Sequence, residues 1–214
     1  MSIEIKSDLS EAFGLPRDQG ARPTCLAFAM SDINRFHSSA PMLSAEYLYR
    51  SAAHQTPGWQ PGDGTYLRHA IAVTKSPGLP EESVLPYQAA EPTLPLSALP
   101  STGKTPFFSN LFSGGNAITA KALADQLAQG IPVGLVIKLT VEFYQPKDAL
   151  VGYSPMVLPN ERHAVIATAA GKHHATGEDY IRVRNSWGPR WGDSGHAWLH
   201  ANYIDAHAVE AFRI

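Results

Sequence analysis

Apolar residues recur at a helical spacing in the first half of the chain. Between positions 24 and 37 they lie mostly three or four residues apart, at Cys25, Phe28, Ala29, Ile33 and Phe36. This spacing places them on one face of a helix. Segments 44–53 and 65–74 show a similar pattern, and Thr24 and Ser44 are of residue types that helix N-caps favour. We therefore predict three helices in this half.

A proline-rich segment follows these helices. Five prolines fall between Pro86 and Pro106, a density that excludes a regular helix or a central strand. The segment is predicted to be an extended crossover between two lobes. One more helix is predicted at 119–129, where Gly130 supplies a C-terminal stop.

The second half has the pattern of β-strands. Residues 131–140 are apolar and β-branched, and residues 163–170 and 179–185 flank a polar turn, which indicates a hairpin. A further short strand is predicted at residues 195–200. In 179–185, the apolar Ile181 and Val183 alternate with Tyr180, Arg182 and Arg184, which predicts one buried face and one wet face.

Helices in the first half and strands in the second half predict an α+β protein with two segregated lobes. The helical lobe is expected at about 20–105 and the β lobe at about 106–214. Together the lobes form one predicted domain over residues 1–214. A chain of 214 residues with 44% hydrophobic residues is long enough to bury a core of this kind.

Charge and cysteine content narrow the function classes. The net charge of −2 offers no basic field for a nucleic acid backbone. No window of 18 apolar residues and no secretory signal is visible, so neither a membrane span nor secretion is expected. The single cysteine excludes an intrachain disulfide and a thiolate metal site. We therefore expect a cytoplasmic location, or delivery into another reducing compartment.

Cys25 is placed at the start of the first predicted helix. Unpaired amides and the helix dipole at such a position favour a thiolate, and a thiolate is a strong nucleophile. A small buried hydrophobic residue is the alternative interpretation, and at this point the two are about equally supported. A nucleophile of this kind needs a base, for which His163 is the candidate, and the base needs an orienting group, for which Asn185 is the candidate.

Three motifs resemble the papain family of cysteine peptidases (C1-type). The segment around the cysteine, residues 18–29, is similar to the entry of the family's active-site helix. Residues 162–165 (RHAV) resemble its histidine strand, and residues 185–195 (NSWGPRWGDSG) resemble its asparagine motif. The order is the family's order, and the spacing from Cys25 to His163 falls within the ~130–150 residues expected.

The resemblance implies a fold and a set of roles. It implies a papain-like two-lobe fold, with a helical left lobe, an antiparallel β-barrel-like right lobe and an active site in the cleft between them. Cys25 would be the nucleophile, His163 its acid–base partner and Asn185 the residue that orients His163. Gln19 would donate its side-chain amide to an oxyanion hole. Trp187 would bind substrate and cover the histidine–asparagine pair.

Substrate-binding residues are also implied. The segment around Asp63 and Gly64 resembles the loop that pairs with the substrate backbone in the family, with Asp63 in place of a glycine. Glu161 and Arg162 precede the histidine and are expected beside the principal specificity pocket. A charged pair there would select polar side chains or narrow the pocket.

Two further departures from the family pattern concern the segment of the cysteine. Leu26 stands where the family usually has tryptophan, and Arg22 stands where it usually has another cysteine. Secreted relatives are stapled by disulfides, so the absence of disulfides suits an intracellular or bacterial-type member. Eighteen residues precede Gln19, too few for an inhibitory propeptide, so we expect either a trimmed mature form or domain, or control by other means such as delivery, partners or fusion to other domains.

The resulting prediction is a cysteine peptidase that hydrolyses peptide or protein substrates through a thioester on Cys25. No cofactor and no metal is expected. An acyltransferase or deamidase with the same Cys25, His163 and Asn185 would share the thioester and stays open as an alternative. A binding module without catalysis, built on the same scaffold, is the third alternative.

Overall fold

The computed structural model describes residues 3–93, 108, 110, 113–116 and 119–214. The chain divides into two compact units. The sheet unit comprises Met1–Asp18 and Gly115–Arg213, and the helical unit comprises Gln19–Gly114 with Ile214. That all 214 residues form a single domain stays a prediction.

Three α-helices lie in the described part of the helical unit, close to the positions predicted. They are α1 (Cys25–Ser38), α2 (Ala45–His54) and α3 (Leu67–Lys75). The N-cap of α2 is Ser44, whose hydroxyl accepts a hydrogen bond from the amide of Tyr47 at 2.9 Å. Thr24 occupies the N-cap position of α1, but its side chain makes no capping bond.

The proline-rich crossover is only partly within the described residues. Residues 87–93 form neither helix nor strand, in agreement with the prediction. Residues 94–107 lie outside the described residues.

Helices in the described part of the chain are short. The longest, α1, has 14 residues, whereas a membrane span needs about 20. Among the described residues, no helix has both the length and the apolar character needed to cross a membrane.

The sheet unit contains most of the strands and the remaining helices. The strands are β1 (Ile3–Asp8), β2 (Ser113–Asn116), β3 (Val133–Lys138), β4 (Leu150–Val151), β5 (Arg162–His173), β6 (Asp179–Arg184), β7 (His196–His200) and β8 (Ala208–Arg213), with β2 at the chain's entry into this unit. The helices are a 3₁₀ turn (Ser10–Phe13), α4 (Ala120–Ala128), α5 (Val141–Tyr144) and α6 (Ala201–His207). The four predicted strands and the helix at 119–129 are confirmed as β3, β5, β6, β7 and α4, whereas β1, β2, β4, β8, the 3₁₀ turn, α5 and α6 were not predicted.

The strands form one open sheet with the order β2-β8-β3-β5-β6-β7-β4. The long strand β5 lies at its centre, because β3 and β1 pair with successive parts of it and β6 pairs with its other edge. The pair of β4 and β7 is parallel. The predicted α+β class is confirmed, but the expected barrel-like lobe is corrected, because the sheet is open.

The hairpin of β5 and β6 is confirmed, but one detail of its burial was predicted wrongly. Tyr180 and Arg184 were expected on a wet face, and both are buried. The guanidinium of Arg184 donates to the carbonyls of Gly14 and Leu15, each at 2.7 Å, so the N-terminal segment covers this face. The alternation pattern failed because the covering segment is distant in sequence.

Candidate active site

His163 is positioned by the central strand of the sheet unit. It is the second residue of β5, it pairs across the sheet with Ile137 of β3, and only 4% of its surface is exposed. Its Nε2 atom lies 2.6 Å from Oδ1 of Asn185. Because an amide oxygen can only accept, Nε2 must donate, and in the neutral ring Nδ1 is then the acceptor. This contact therefore fixes both the orientation and the tautomer of the ring.

Asn185 is itself held by backbone contacts. It follows β6 directly, and β6 is the neighbour of β5 in the sheet. Its backbone amide donates to the carbonyl of Gly195 at 3.0 Å, and its side-chain Oδ1 also accepts from the backbone amide of Ser186 at 2.7 Å. Two adjacent strands thus bring His163 and Asn185 together, as the sequence predicted.

Aromatic side chains surround the histidine ring. The ring centroid of Trp187 lies 4.6 Å from that of His163, and the Phe143 centroid lies 5.9 Å from it. Tyr144 stacks on Trp187 with centroids 5.2 Å apart and an interplanar angle of 26°. The Trp187 ring thus lies beside the His163 ring, while its role as a cover of the histidine–asparagine pair and its role in substrate binding stay predictions. Sequence reasoning missed Phe143 and Tyr144, which belong to the four-residue helix α5 and to none of the motifs.

Burial sets the protonation of the histidine. Loss of solvation lowers the pKa of His163 from 6.5 to about 4, and the hydrogen bond to Asn185 opposes that change only in part. The imidazole is therefore neutral near pH 7 in this environment, unless a negative charge is placed beside it. A neutral ring with Nδ1 as acceptor can receive a proton.

Glu161 and Arg162 lie at the start of β5, and both are exposed. The carboxylate of Glu161 accepts a hydrogen bond from the hydroxyl of Tyr144 at 2.5 Å, which raises the pKa of Tyr144 to about 12. Glu161 is therefore linked through Tyr144 to the ring of Trp187. The expected position of Glu161 and Arg162 beside a specificity pocket stays a prediction.

The glycines after Asn185 have a structural reason. Gly192 has φ +57°, and a Cβ added there would lie 2.2 Å from the carbonyl oxygen of His196. Gly188 has φ +73°, and a Cβ there would lie 2.9 Å from the Asp18 carboxylate. Both positions therefore need glycine to let the chain turn closely after Asn185.

Cys25 is the first residue of α1 and is half-buried. As the only cysteine, it cannot form a disulfide within the chain. The amides of a first helical turn have no partners within the helix, and the helix dipole adds partial positive charge there. The thiolate at Cys25, which this position favours in general, stays a prediction.

Gln19 lies in the turn that leads into α1 and is 6% exposed. Its Nε2 donates to the carbonyl of Arg22 at 2.6 Å. Its own carbonyl accepts from the hydroxyl of Tyr87 at 2.7 Å. The side chain and the backbone of Gln19 are therefore both held within the helical unit. Tyr87 was not predicted, because it lies 68 residues from Gln19.

The loop with Asp63 and Gly64 is also held by hydrogen bonds. The carbonyl of Asp63 accepts from the hydroxyl of Tyr49 at 2.7 Å and from Nε1 of Trp59 at 3.1 Å. The Asp63 carboxylate accepts from the amide of Gln60 at 2.8 Å. The Asp63 side chain thus stabilises the turn itself, which gives a structural reason for aspartate at this position.

The predicted residues fall into two groups. His163, Asn185 and Trp187 meet in the sheet unit, and Gln19 and Cys25 lie at the start of α1 in the helical unit. The pairing of Cys25 with His163 stays a prediction. Within the described ranges, no group of three or more His, Cys, Asp or Glu side chains could hold a metal ion.

The chain combines an α+β fold with a hydrogen-bonded histidine–asparagine pair. Comparisons with known proteins point to one class of enzyme that has both features. The model of the papain family of cysteine proteases matches residues 8–211. The chain therefore belongs to the papain family of cysteine proteases. The predicted family is confirmed.

Individual relatives agree with this membership. The chain is 28% identical to a cathepsin L-like peptidase of Aedes aegypti over 193 residues, which cover 87% of this chain and 55% of the relative. It is 24% identical to digestive cysteine proteinase 2 of Homarus americanus, over 87% of this chain and 57% of the relative. The chain thus spans a little over half the length of these two relatives.

A solved structure shows the same fold. Xylellain, a cysteine protease from Xylella fastidiosa, superposes with a TM-score of 0.76 at 22% identity. The match covers 99% of this chain and 86% of xylellain. The predicted papain-like fold is therefore confirmed, apart from the closed barrel.

Proposed function

We propose that this chain is a cysteine peptidase that cleaves peptide or protein substrates through a thioester on Cys25. One observation carries the proposal most directly. Nε2 of the buried His163 lies 2.6 Å from Oδ1 of Asn185, which leaves Nδ1 as the ring's proton acceptor. A histidine that is oriented and held in one tautomer by an amide is what a thiol nucleophile requires.

The proposed reaction has two steps. Sγ of Cys25 attacks the carbonyl carbon of the scissile amide, and the thiol proton passes through Nδ1 of His163 to the leaving amine as the C–N bond breaks. Water then attacks the thioester carbonyl, the C–S bond breaks, and the products are a carboxylic acid and the thiol. Gln19 and the Cys25 backbone amide stabilise the negative oxygen of each tetrahedral intermediate.

Substrate binding is proposed at Asp63 and Gly64 for the peptide backbone, and beside Glu161 and Arg162 for the side chain that sets specificity. The charges of the latter two residues support a preference for polar substrate side chains. A peptide-library scan with wild type and Glu161→Ala tests this preference. We expect wild type to favour polar residues and the variant to relax that selection. A preference for bulky apolar residues that Glu161→Ala leaves unchanged would contradict it.

We further propose that the protein works in a reducing compartment such as the cytoplasm, since its only cysteine is the proposed nucleophile. Regulation by further domains or partner proteins is part of the same proposal. An assay with and without a thiol reductant tests whether the protein needs reducing conditions, as this proposal requires. We expect activity to need the reductant, because a reactive thiol oxidises readily.

The central experiment uses a thiol-directed epoxysuccinyl probe. Wild type should be labelled at Cys25, identified by mass spectrometry, and His163→Ala should slow the labelling by about 100-fold or more, as for loss of a general base. His174→Ala is the matched control, because His174 is an exposed histidine beyond the far end of β5. Labelling that is equally fast in His163→Ala would contradict the proposal.

Product analysis then separates hydrolysis from transfer. Wild type is incubated with a peptide library, with and without an added amine, and the products are identified by mass spectrometry. Peptidase activity gives free carboxylic acids at new C-termini. Products that consist mainly of the amine adduct, or of side-chain deamidation, would replace the proposed peptidase with the alternative reaction.

A further inference from the structure

A buried cation lies three residues before Cys25. Arg22 is only 3% exposed, and all three nitrogens of its guanidinium donate hydrogen bonds. Nη1 and Nη2 donate to the two carboxylate oxygens of Glu46 at 2.5 and 3.3 Å, and Nε donates to Glu91 at 3.0 Å. Nη1 also donates to the carbonyl of Gln88 at 2.5 Å. Arg22 thus joins α2 and the segment of residues 87–93 to the turn before α1.

Two tyrosine rings complete the surroundings of this guanidinium. Its central carbon lies 4.8 Å from the ring centroid of Tyr87 and 5.1 Å from that of Tyr49. Both distances are within the range of cation–π attraction. Burial disfavours the charge of Arg22, but the hydrogen bonds to Glu46 and Glu91 outweigh it and raise the pKa. The guanidinium of Arg22 therefore contacts two tyrosine rings as well as two carboxylates.

The first of these rings leads to Gln19. The hydroxyl of Tyr87 donates to the carbonyl of Gln19 at 2.7 Å and lies 2.9 Å from the hydroxyl of Thr24. The carbonyl of Arg22 accepts from the side-chain amide of Gln19 at 2.6 Å. Arg22 is thus connected to Gln19 in two ways, directly through its own backbone carbonyl and indirectly through the contact of its guanidinium with the ring of Tyr87.

The second ring leads to the loop that contains Asp63. The hydroxyl of Tyr49 lies 2.7 Å from the carbonyl of Asp63 and 2.7 Å from a carboxylate oxygen of Glu91. It carries one hydrogen and donates to one of these oxygens at a time. Since Glu91 is held by Arg22, the position of the Tyr49 hydroxyl depends on the cation. The loop position therefore depends on it too.

We propose that Arg22 is a positioning residue that holds both the oxyanion donor Gln19 and the substrate-binding loop at Asp63–Gly64. The inference rests on the proposed function, because it assigns those two roles to Gln19 and to the loop. Tyr87 transmits the effect to Gln19, and Tyr49 transmits it to Asp63. Gln19 is assigned to the oxyanion of the intermediate and the loop is assigned to substrate binding. We therefore expect the first connection to affect kcat and the second to affect KM.

Two hydroxyl deletions test the separate connections. Tyr87→Phe loosens Gln19 and should lower kcat on a peptidyl coumarinamide by about 10-fold with KM within about 2-fold, the size expected for one lost hydrogen bond. Tyr49→Phe loosens the loop and should raise KM by about 5-fold with kcat nearly unchanged. Tyr153→Phe is the matched control, because Tyr153 is 48% exposed and belongs to the sheet unit.

Arg22→Lys tests the cation itself. Lysine keeps the charge but lacks the planar fork that serves two carboxylates at once, so kcat should fall and KM should rise together. Alkylation of Cys25 by iodoacetamide should stay within about 2-fold of wild type, because this reaction forms no oxyanion and uses no substrate loop. A general loss of folded protein would instead slow alkylation and activity alike.

The outcomes separate this inference from the proposed function. If wild type neither cleaves peptides nor is labelled at Cys25, both are overturned. If wild type is active and Tyr87→Phe and Tyr49→Phe both keep wild-type kcat and KM, only the positioning role of Arg22 is overturned. The positioning role of Arg22 is also overturned if Tyr87→Phe and Tyr49→Phe change kcat and KM in the same pattern. If Arg22→Lys does not fold, the two tyrosine variants decide.

Discussion

The two units hold their candidate active-site residues by different forces. In the sheet unit, His163 is held by a neutral amide and by the rings of Trp187 and Phe143. In the helical unit, the residues before Cys25 are held by the buried cation Arg22 and the buried carboxylate of Glu46. The contacts that hold His163 are thus neutral, whereas those that hold the residues before Cys25 are charged.

The difference follows from the local backbone. His163 lies in β5, and Asn185 follows the adjacent strand β6, so the ladder of the sheet already sets their spacing. Residues 19–24 belong to no helix and no strand. Such a turn has few repetitive backbone hydrogen bonds and needs side chains to fix its shape. Charge-assisted bonds from Arg22 fulfil that need, and regular sheet pairing makes them unnecessary around His163.

The largest effect is expected from breaking the charged cluster. Arg22→Met should lower the free energy of unfolding by about 3–5 kcal/mol, because it leaves the carboxylate of Glu46 buried and unpaired. Urea denaturation followed by circular dichroism measures the change. The matched control is Arg213→Met at an exposed site, which should cost about 0.5 kcal/mol or less.

A double variant shows whether charge is the cause. Arg22→Met combined with Glu46→Leu removes both buried charges and should recover part of the loss, since no unpaired ion remains between them. If Arg22→Met alone lowers the free energy of unfolding by less than about 1 kcal/mol, the buried pair of Arg22 and Glu46 does not stabilise the helical unit as described.

The neutral histidine should make stability depend on pH. Its pKa is about 4 in the folded chain against 6.5 for an ordinary histidine. Between these values the unfolded chain binds more protons, so the free energy of unfolding falls as the pH drops from 6.5 and levels off below about 4. The total decrease in the free energy of unfolding amounts to about 3 kcal/mol for this buried histidine.

The measurement compares pH profiles of unfolding in two chains. Cys25→Ser serves as the background, so that the proposed pairing of Cys25 with His163 is removed in both chains, and His163→Gln is added to it. The difference between the two profiles isolates His163 from other titrating groups, including the buried His196. Parallel profiles between pH 6.5 and 4 would contradict a neutral buried histidine.

Removing the aromatic cover should give an intermediate effect. Trp187→Ala exposes the ring of His163 to water, so its pKa should rise toward the ordinary value. Titration of the imidazole by NMR in the Cys25→Ser background measures this rise. Trp187→Phe keeps a ring at the position and should restore most of the low pKa. A pKa that Trp187→Ala leaves unchanged would show that other neighbours, such as Phe143, are sufficient.

The smallest effect compares helix caps in the two units. Ser44→Ala removes a fully buried hydroxyl that caps α2 and also donates to the carbonyl of Leu85 at 2.6 Å. It should cost about 1–2 kcal/mol. Thr119→Ala removes an exposed cap of α4 and should cost about 0.5–1 kcal/mol. Thermal unfolding of both variants ranks them, and a larger loss in Thr119→Ala would reverse the comparison.

Local patterns predicted the elements that depend on local chemistry. The three helices of the helical unit, the hairpin of β5 and β6, and the cap at Ser44 were all found where expected. The burial of Arg184 was predicted wrongly, because the carbonyls that satisfy it lie about 170 residues away. The open sheet was also missed, since strand order depends on pairings between distant segments.

The sequence by itself determined the family, the helical and strand-rich halves, and the pairing of His163 with Asn185. These rest on periodicity and on short motifs, which are local properties of the chain. Only the tertiary structure decided how Gln19 and Asp63 are held, through Tyr87, Tyr49 and the partners of Arg22. The physical reason is that a buried charge is stable only with partners around it, and these partners come from segments that no local pattern connects.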